Sequence, residues 1–332
     1  MFIIMVDVMD TLLNTLLLEK DQIGEAVDIL ARGDIVAFPT ETVYGLGAPI
    51  FNEEAIKKIF KAKGRPSDNP LIAHVSDLSQ VFAITKDIPD DFFLLFEEFF
   101  PGPLAVVLPK SDKVPLSASA GLSSIAVRMP ADPIALDLIA KLGQPIVAPS
   151  ANLSGKPSAT CSSHVLDDFQ GKISAVINST PSQIGIESTV ISLLGTDPVI
   201  LRPGHITQSQ LEEVLQKKVR VMQGNVSDND TVLSPGVKYR HYAPKAPVRL
   251  FFSDEELVAY VQNSPLCLRF ILSARSLPTL DRSIVCPLTT KDLYASLRKS
   301  DTYAADEVLI YCDDESVKNT GLMNRIQKAA QV

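Results

Sequence analysis

The 332-residue sequence contains no run approaching the roughly 18 to 20 consecutive apolar residues that would span a bilayer. Its most apolar segment, MFIIMVDVMDTLLNTLLL at the N-terminus, is interrupted by Asp7 and Asp10 and carries no Lys or Arg before Lys20. The basic flank of a secretory signal is therefore missing, and the segment reads as an irregular lead-in or an extra N-terminal strand. A cytoplasmic protein is expected. Cysteine is scarce: Cys161, Cys267, Cys286 and Cys312 lie far apart with no CxxC pair, which excludes a zinc knuckle and gives no disulfide framework. Three of the four sit in apolar surroundings, as small buried residues do. Positive charge is in deficit, 31 Lys and Arg against 39 Asp and Glu, for a net charge of −8. An acidic surface argues against wrapping nucleic acid with a whole face, although local basic sites remain open.

The standard chemical signatures are also missing. There is no GxxxxGK[ST], GxGxxG, HExxH or GxSxG, and the histidines at 74, 164, 205 and 241 have no metal-ligand spacing. What remains, 46% hydrophobic and 21% charged residues, is ordinary for a soluble globular chain at a length where one core often becomes two.

Helix and strand signals alternate along the chain. Residues 19–33 carry Ile23, Ala26, Val27 and Leu30 at helical spacing and stop at Gly33; DIVAFPT then reads as a buried strand halted by Pro39. Segment 52–63 opens with an Asn cap and acids and closes with lysines, the polarity that suits a helix dipole. Strands are expected at 70–76, 103–110, 124–130, 145–152, 175–178, 188–194 and 198–204, with helices at 90–100, 132–142 and 207–217. Strands interleaved with helices imply an α/β domain, and the many short strands favour a mixed sheet. Residues 223–249 lack apolar periodicity and are rich in turn formers, as a linker would be. Beyond them VRLFF, LCLRFIL, SIVCPL and EVLIYC, with helices at 254–262, 290–299 and 317–330, describe a second, smaller α/β unit. The resulting division is 1–222 catalytic domain, 223–247 linker or lid, and 248–332 small C-terminal domain.

Three clusters have the residue types for chemistry. In KAKGRPSDNPLIAH, Lys61, Lys63 and Arg65 precede a Pro-containing loop, and several cations at one loop suit a polyphosphate. Taken alone they equally describe a solvated helix end, and His74 a satisfied core histidine. In APSANLSGKPSAT a strand empties into Ser150, Asn152, Ser154 and Ser158, the position where α/β sheets contact ligands, or where an ordinary polar loop begins. In FPTETVYGLGA, Thr40, Glu41, Thr42 and Tyr44 follow a strand directly. Arg128, Glu187, Ser188, Thr189 and Arg202 lie in or beside strand-like runs, where a charge is seldom buried unless paired.

FPTETVYGLGA, KGRP with NPL and HV, SIAVRMP, PSANLSG, GIESTV, LRPG and SPGVKYRHYAP together resemble, in order, the blocks of the YrdC-like family over roughly residues 20 to 245. The SPGVKYRHYAP block followed by a small α/β unit ending in NRIQKAA resembles the longer, two-domain threonylcarbamoyl-AMP synthases. The resemblance implies a large, mixed, twisted sheet with an active-site cleft and a smaller, Rossmann-like C-terminal α/β domain. It implies a nucleotidyltransferase that joins L-threonine, bicarbonate or CO2, and ATP into L-threonylcarbamoyl-AMP with release of pyrophosphate, for N6-threonylcarbamoyladenosine in tRNA. The family's KxR…SxN signature falls on Lys63, Arg65, Ser150 and Asn152, expected around the nucleotide and its phosphates. Thr42, His74, Arg128, Ser188 and the main chain at Ala148 are implied for threonine. Asn69, Ser124, Ser158 and Arg202 are implied for the ATP side, with Ser234, Tyr239 and His241 as lid contacts. Mg2+ is expected with ATP, and a tRNA threonylcarbamoyl transferase is expected downstream. Ser182, Gln183 and His205 depart from the usual family pattern in loops outside these blocks. Double-stranded RNA binding and carbamoyl-AMP formation are the rival readings within the same family. The acidic balance argues against the first, as against stable tRNA binding, and the lack of zinc-finger modules against the second.

Overall fold

Short β-branched runs separated by capped helices assemble into two sheets, seen in a computed structural model that describes residues 14–222, 242–278 and 280–330. The first sheet takes β1 (Leu16–Leu18), β2 (Val36–Phe38), β3 (Gly45–Pro49), β4 (Ile72–His74), β5 (Leu104–Pro109), β6 (Ser124–Arg128), β7 (Ile146–Ala148), β8 (Ala175–Ile177), β9 (Thr189–Ser192), β10 (Val199–Arg202) and β11 (Arg220–Val221). Their spatial order is β1-β8-β2-β3-β7-β4-β6-β5-β9-β10-β11. Parallel and antiparallel pairs mix within it: β3 runs antiparallel to β2 and β7, whereas β4 runs parallel to β6. The expected mixed α/β sheet is therefore what forms. The second sheet, β12 (Val248–Phe251), β13 (Arg269–Ser273), β14 (Ser283–Pro287) and β15 (Glu307–Tyr311), has the order β12-β15-β13-β14 and is parallel throughout.

The central strands read as continuous apolar runs because helices cover both faces. One large core gathers Tyr44, Leu46, Ile56, Ile59, Leu104, Val127 and Phe169, all fully buried, under the helices Glu53–Lys63 and Ser162–Phe169. A second packs Leu30, Phe38, Leu138 and Ile139 between the helices Ile23–Ala31 and Pro133–Leu142. The small domain's core is not confined to itself, since Val43 and Ile186 of the first domain pack with Phe270, Tyr294 and Ile326. Among the described residues no helix is long and apolar enough to cross a membrane.

Local chemistry sets the helix that precedes the first cluster. Asn52 accepts from the Ala55 amide at 3.0 Å, and Glu53 and Glu54 occupy the positive end of the dipole. Gly64, at φ +59°, then ends the helix in the left-handed region and turns the chain toward Arg65.

Some expectations shift. Gly45–Pro49, outside the expected strands, forms β3, buried at every position; two glycines and a proline weaken a strand signal, and pairing on both sides overrides it. The helix expected at 290–299 spans Leu293–Thr302, because Thr289 Oγ1 bonds Asp292 and delays its start. The helix expected at 317–330 is two, Asp314–Lys318 and Thr320–Ala330, broken at Asn319, whose side chain accepts from the Leu322 amide. The helices Leu78–Ile84 and Ser162–Phe169 went unread as too short for a clear period.

Candidate active site

The ends of β4, β6 and β7 meet the loops after β2 and before β9 in one cleft. Register explains the meeting: parallel pairing sets His74 opposite Arg128, and antiparallel pairing sets Ile72 opposite Ala148. The cleft is lined by Thr42, His74, Arg128, Ala148 and Ser188, the whole set implied for threonine, beside Arg65, Ser150, Asn152 and Arg202 from the nucleotide set. Residues spread over 160 positions of sequence thus share one surface.

Arg128 is 4% exposed, and each of its three guanidinium nitrogens has a partner inside the protein. It donates to Glu41 Oε1 at 2.6 Å, to Thr42 Oγ1 at 2.8 Å and to the Gly102 carbonyl at 3.2 Å. Glu41 is thus the carboxylate that permits a buried arginine on β6, and its second oxygen, Oε2, is buried without a partner among the described residues. Beside it, burial and the positive Arg128 push His74 down to about 3. The imidazole is therefore neutral at physiological pH, with Nδ1 against the Ile72 carbonyl at 3.2 Å and its ring edge-on to Phe38.

Lys63 occupies a different place from the one its residue type suggests. Its ammonium donates to the carbonyls of Ser150 at 2.6 Å and Asn152 at 2.5 Å, and it is 3% exposed. Burial, reinforced by nearby Arg65, holds its pKa well below the usual lysine range. The side chain therefore ties the Ser150–Asn152 turn to the helix Glu53–Lys63. Lys61, from the same run, is exposed on the outer face of that helix. Within the turn, Ser150 Oγ donates to Asn152 Oδ1 at 2.5 Å, and the Asn152 amide donates to the carbonyls of Leu153 and Lys156. Arg65 donates to the carbonyls of Asn69 and Pro70, each at 3.3 Å.

Asn69, Ser124 and Ser158 do not line the cleft. Asn69 is buried with both side-chain polar atoms unpartnered among the described residues, Ser124 is buried at the start of β6, and Ser158 donates to Glu187 Oε1 at 2.6 Å. Ser234, Tyr239 and His241 lie outside the described residues. Ser182, one of the departures from pattern, is structural: its hydroxyl donates to the Thr40 carbonyl.

The sequence reading underused two residues of the wall. Glu187 was noted as a charge in a strand-like run, but its partners are remote: Arg325 at 2.7 Å and the Tyr294 hydroxyl at 2.9 Å, both from the small domain. Burial alone would raise its carboxyl pKa; Arg325 and Arg202 outweigh burial and hold it at about 2. Tyr242, inside the segment expected as linker, also lines the cleft. The signal available in sequence was the rule that a charge in a buried run needs a counter-charge, which predicts a partner without locating it.

Comparison with known proteins agrees with this arrangement. A family model described as "Telomere recombination" (Sua5/YciO/YrdC) matches residues 28–204, and one described as "Threonylcarbamoyl-AMP synthase, C-terminal domain" matches residues 206–331. The chain is 41% identical over 322 residues to the threonylcarbamoyl-AMP synthase of Bacillus subtilis, covering 93% of each chain. It is 41% identical over 328 residues to that of Pyrococcus abyssi, covering 94% and 95%. The crystal structure of P. abyssi Sua5 complexed with L-threonine superposes with a TM-score of 0.87 at 40% identity, over 95% of this chain and 97% of that one. With both domain models matched end to end and relatives of this similarity aligned across nearly the whole chain, the protein belongs to the Sua5/YciO/YrdC family in its two-domain form.

Proposed function

We propose that this cleft joins L-threonine, bicarbonate and ATP into L-threonylcarbamoyl-AMP with release of pyrophosphate, for N6-threonylcarbamoyladenosine in tRNA. The single observation that carries the reading is the convergence of Arg65, Arg128, His74, Asn152 and Ser188 on one cleft, in a chain 41% identical to two threonylcarbamoyl-AMP synthases over 93% and 95% of their lengths.

The chemistry follows from the charges. Threonine's amine and bicarbonate give an N-carboxylate, a weak nucleophile that must meet an anionic α-phosphate. One carboxylate oxygen bonds to phosphorus as the bond to pyrophosphate breaks. Such a transfer is accelerated by alignment and charge neutralisation and needs no covalent enzyme intermediate. Arg128 with Thr42 is the donor pair suited to the amino-acid carboxylate, and neutral His74 is suited to orient the substrate without adding charge. Arg65 suits the phosphates, and Lys63 serves by fixing the Ser150–Asn152 turn. Among the described residues no group of three or more His, Cys, Asp or Glu is placed to hold a metal ion. Mg2+ would accordingly arrive on the phosphate oxygens of ATP, as is common for that ion, and would offset charge on the leaving pyrophosphate. The product would pass to a tRNA threonylcarbamoyl transferase.

The test is formation of threonylcarbamoyl-AMP from radiolabelled bicarbonate, with and without threonine. Product that requires threonine is expected, and product formed without threonine would favour carbamoyl-AMP chemistry instead. Arg65→Ala and Lys63→Ala should each sharply lower threonine-dependent pyrophosphate release in folded protein; wild-type rates would remove that residue from its role. A salt-dependent shift of double-stranded RNA with no turnover would replace the enzymatic reading with a binding one.

A further inference from the structure

Among the described residues of the small domain, two arginines reach into the first domain, one behind Ser188 and Arg202 and one behind the Ser150–Asn152 turn. Arg325, on the helix Thr320–Ala330, is fully buried. Its Nε donates to Glu187 Oε2 at 2.7 Å, one terminal nitrogen donates to the Pro203 carbonyl at 2.7 Å, and the other to the Glu187 carbonyl at 3.2 Å. Glu187 immediately precedes Ser188 and Pro203 immediately follows Arg202. One guanidinium therefore clamps the start of β9 to the end of β10 where two cleft residues leave the sheet. Arg202 closes the same corner by donating to the Ser188 carbonyl at 2.9 Å and to its hydroxyl at 3.2 Å. Tyr242, in the cleft wall, lies under the Arg325 guanidinium at 5.7 Å and stacks at 5.2 Å on Tyr294, which also donates to Glu187.

Arg298, on the helix Leu293–Thr302, serves the segment behind the Ser150–Asn152 turn. It donates twice to the Pro157 carbonyl, at 3.0 and 2.7 Å, and to Asp168 Oδ2 at 2.7 Å. The same Asp168 oxygen accepts from the Leu153 amide at 3.1 Å, directly after the Ser150–Asn152 turn. The helix Thr320–Ala330 also approaches the loop after β10 too closely to be loosely docked: a Cβ on Gly321 would sit 2.5 Å from the Gly204 carbonyl oxygen.

We infer that Arg325 is a positioning residue for the cleft, fixing Ser188 and Arg202 through Glu187 and Pro203, and that Arg298 does the same for the Ser150–Asn152 turn. The small domain is on this account a part of the active site's scaffold, not a separate module. The planar fork of arginine is needed because one group must reach a carboxylate and a carbonyl on different strands at once; the single ammonium of lysine cannot reproduce that geometry.

The inference rests on the proposed reaction, so wild-type protein assayed in parallel settles that reading separately. Arg325→Met, folded by circular dichroism and assayed well below its melting temperature, should lose at least about tenfold in kcat/KM with a raised KM for threonine. Arg325→Lys should recover part of that loss, and Arg298→Met should show the larger change in KM for ATP. A group that only stabilised the fold would leave KM untouched in folded protein. Folded Arg325→Met with wild-type kcat and KM would overturn the inference. If Arg325→Met does not fold, Arg325→Lys decides by the same constants, a raised KM supporting and wild-type values overturning. If the wild-type protein shows no threonine-dependent turnover, the functional reading fails and amide hydrogen exchange decides instead. Faster exchange at 187–189 in either Arg325 variant and at 150–160 in Arg298→Met, with β5 and β6 unchanged, supports positioning; unchanged exchange there overturns it.

Discussion

The two sheets of this protein treat their strand ends in opposite ways. In open α/β sheets ligands bind beyond the carboxyl ends of strands. The first domain follows the rule at His74 and Arg128, which close the parallel strands β4 and β6; antiparallel β7 brings Ala148 beside Ile72 at the start of β4, and His74, Arg128 and Ala148 all face the cleft. In the parallel four-stranded sheet the corresponding polar residues are consumed by helix starts and turns. Ser253, just past β12, caps the next helix through the Glu256 amide; Ser273, at the end of β13, bonds the Arg275 backbone. Asp313, just past β15, accepts from Ser316 and from Arg275 at 3.1 Å. The difference teaches that an α/β architecture offers a place for a site without creating one. What decides is whether the polar groups at strand ends are satisfied locally or left facing a shared space. The small domain reaches the chemistry by its helices instead, through Arg298 and Arg325.

The sharpest way to break this comparison is to remove a buried charge on each side. Glu187→Ala leaves Arg325 buried without its carboxylate and should cost about 3–5 kcal/mol in urea unfolding. Asp313→Ala, which removes a cap and a partner of half-exposed Arg275, should cost only about 1 kcal/mol. Similar costs at the two positions would mean that the cleft is no more electrostatically strained than a helix cap.

A second comparison uses arginines. Arg128→Met should lower kcat/KM for threonine by about a hundredfold or more, an effect of the size seen when a charge-positioning donor is lost. Arg275→Met should leave both constants within about twofold of wild type. Loss of activity in the Arg275 variant would place function at the strand ends of the small sheet after all.

Acid should distinguish the regions next. The folded protein holds His74 down to about 3 and His164, through burial and then Arg298, down to about 4, both from 6.5. Below 6.5 the unfolded chain takes up protons that the folded chain refuses. Stability therefore falls with falling pH across that window, by about 1.4 kcal/mol per pH unit for each group. Glu187, held at about 2 against an ordinary 4.5, adds a further loss between those values. The small domain contains no histidine. Urea midpoints between pH 7 and 5 measure the slope, and His74→Gln should remove its share; an unchanged slope would show that His74 is not buried neutral.

The smallest effects should be equal in the two regions. Asn52→Ala and Ser253→Ala each delete one capping bond and should each cost about 1 kcal/mol with activity unchanged. A much larger loss in either would mark that helix end as coupled to the cleft.

Much of the molecule was open to reading from its residues. The strands through Val36–Phe38, Leu104–Pro109 and Ser124–Arg128 carry uninterrupted apolar runs, and Asn52 and Thr207 announce the helices that follow them. The block order placed Thr42, Arg65, His74, Arg128, Ser150, Asn152, Ser188 and Arg202 in one site, and they share one cleft. Other features were out of reach. β3 was hidden by its glycines and proline, because intrinsic preference is a local quantity and the pairing that overrode it came from β2 and β7. The position of Lys63 was hidden because residue type specifies a charge but not whether it faces a phosphate or a carbonyl.

By itself, then, the sequence determined which segments are apolar enough to be buried and where helices begin, since these depend on neighbours within a few residues. Tertiary structure alone decided the partners: Glu41 for Arg128 across 87 positions and Arg325 for Glu187 across 138. A buried charge requires a counter-charge, but any of many distant residues satisfies that requirement on paper. Only the folded path of the chain, with two domains sharing one core, determines which one arrives within hydrogen-bonding distance.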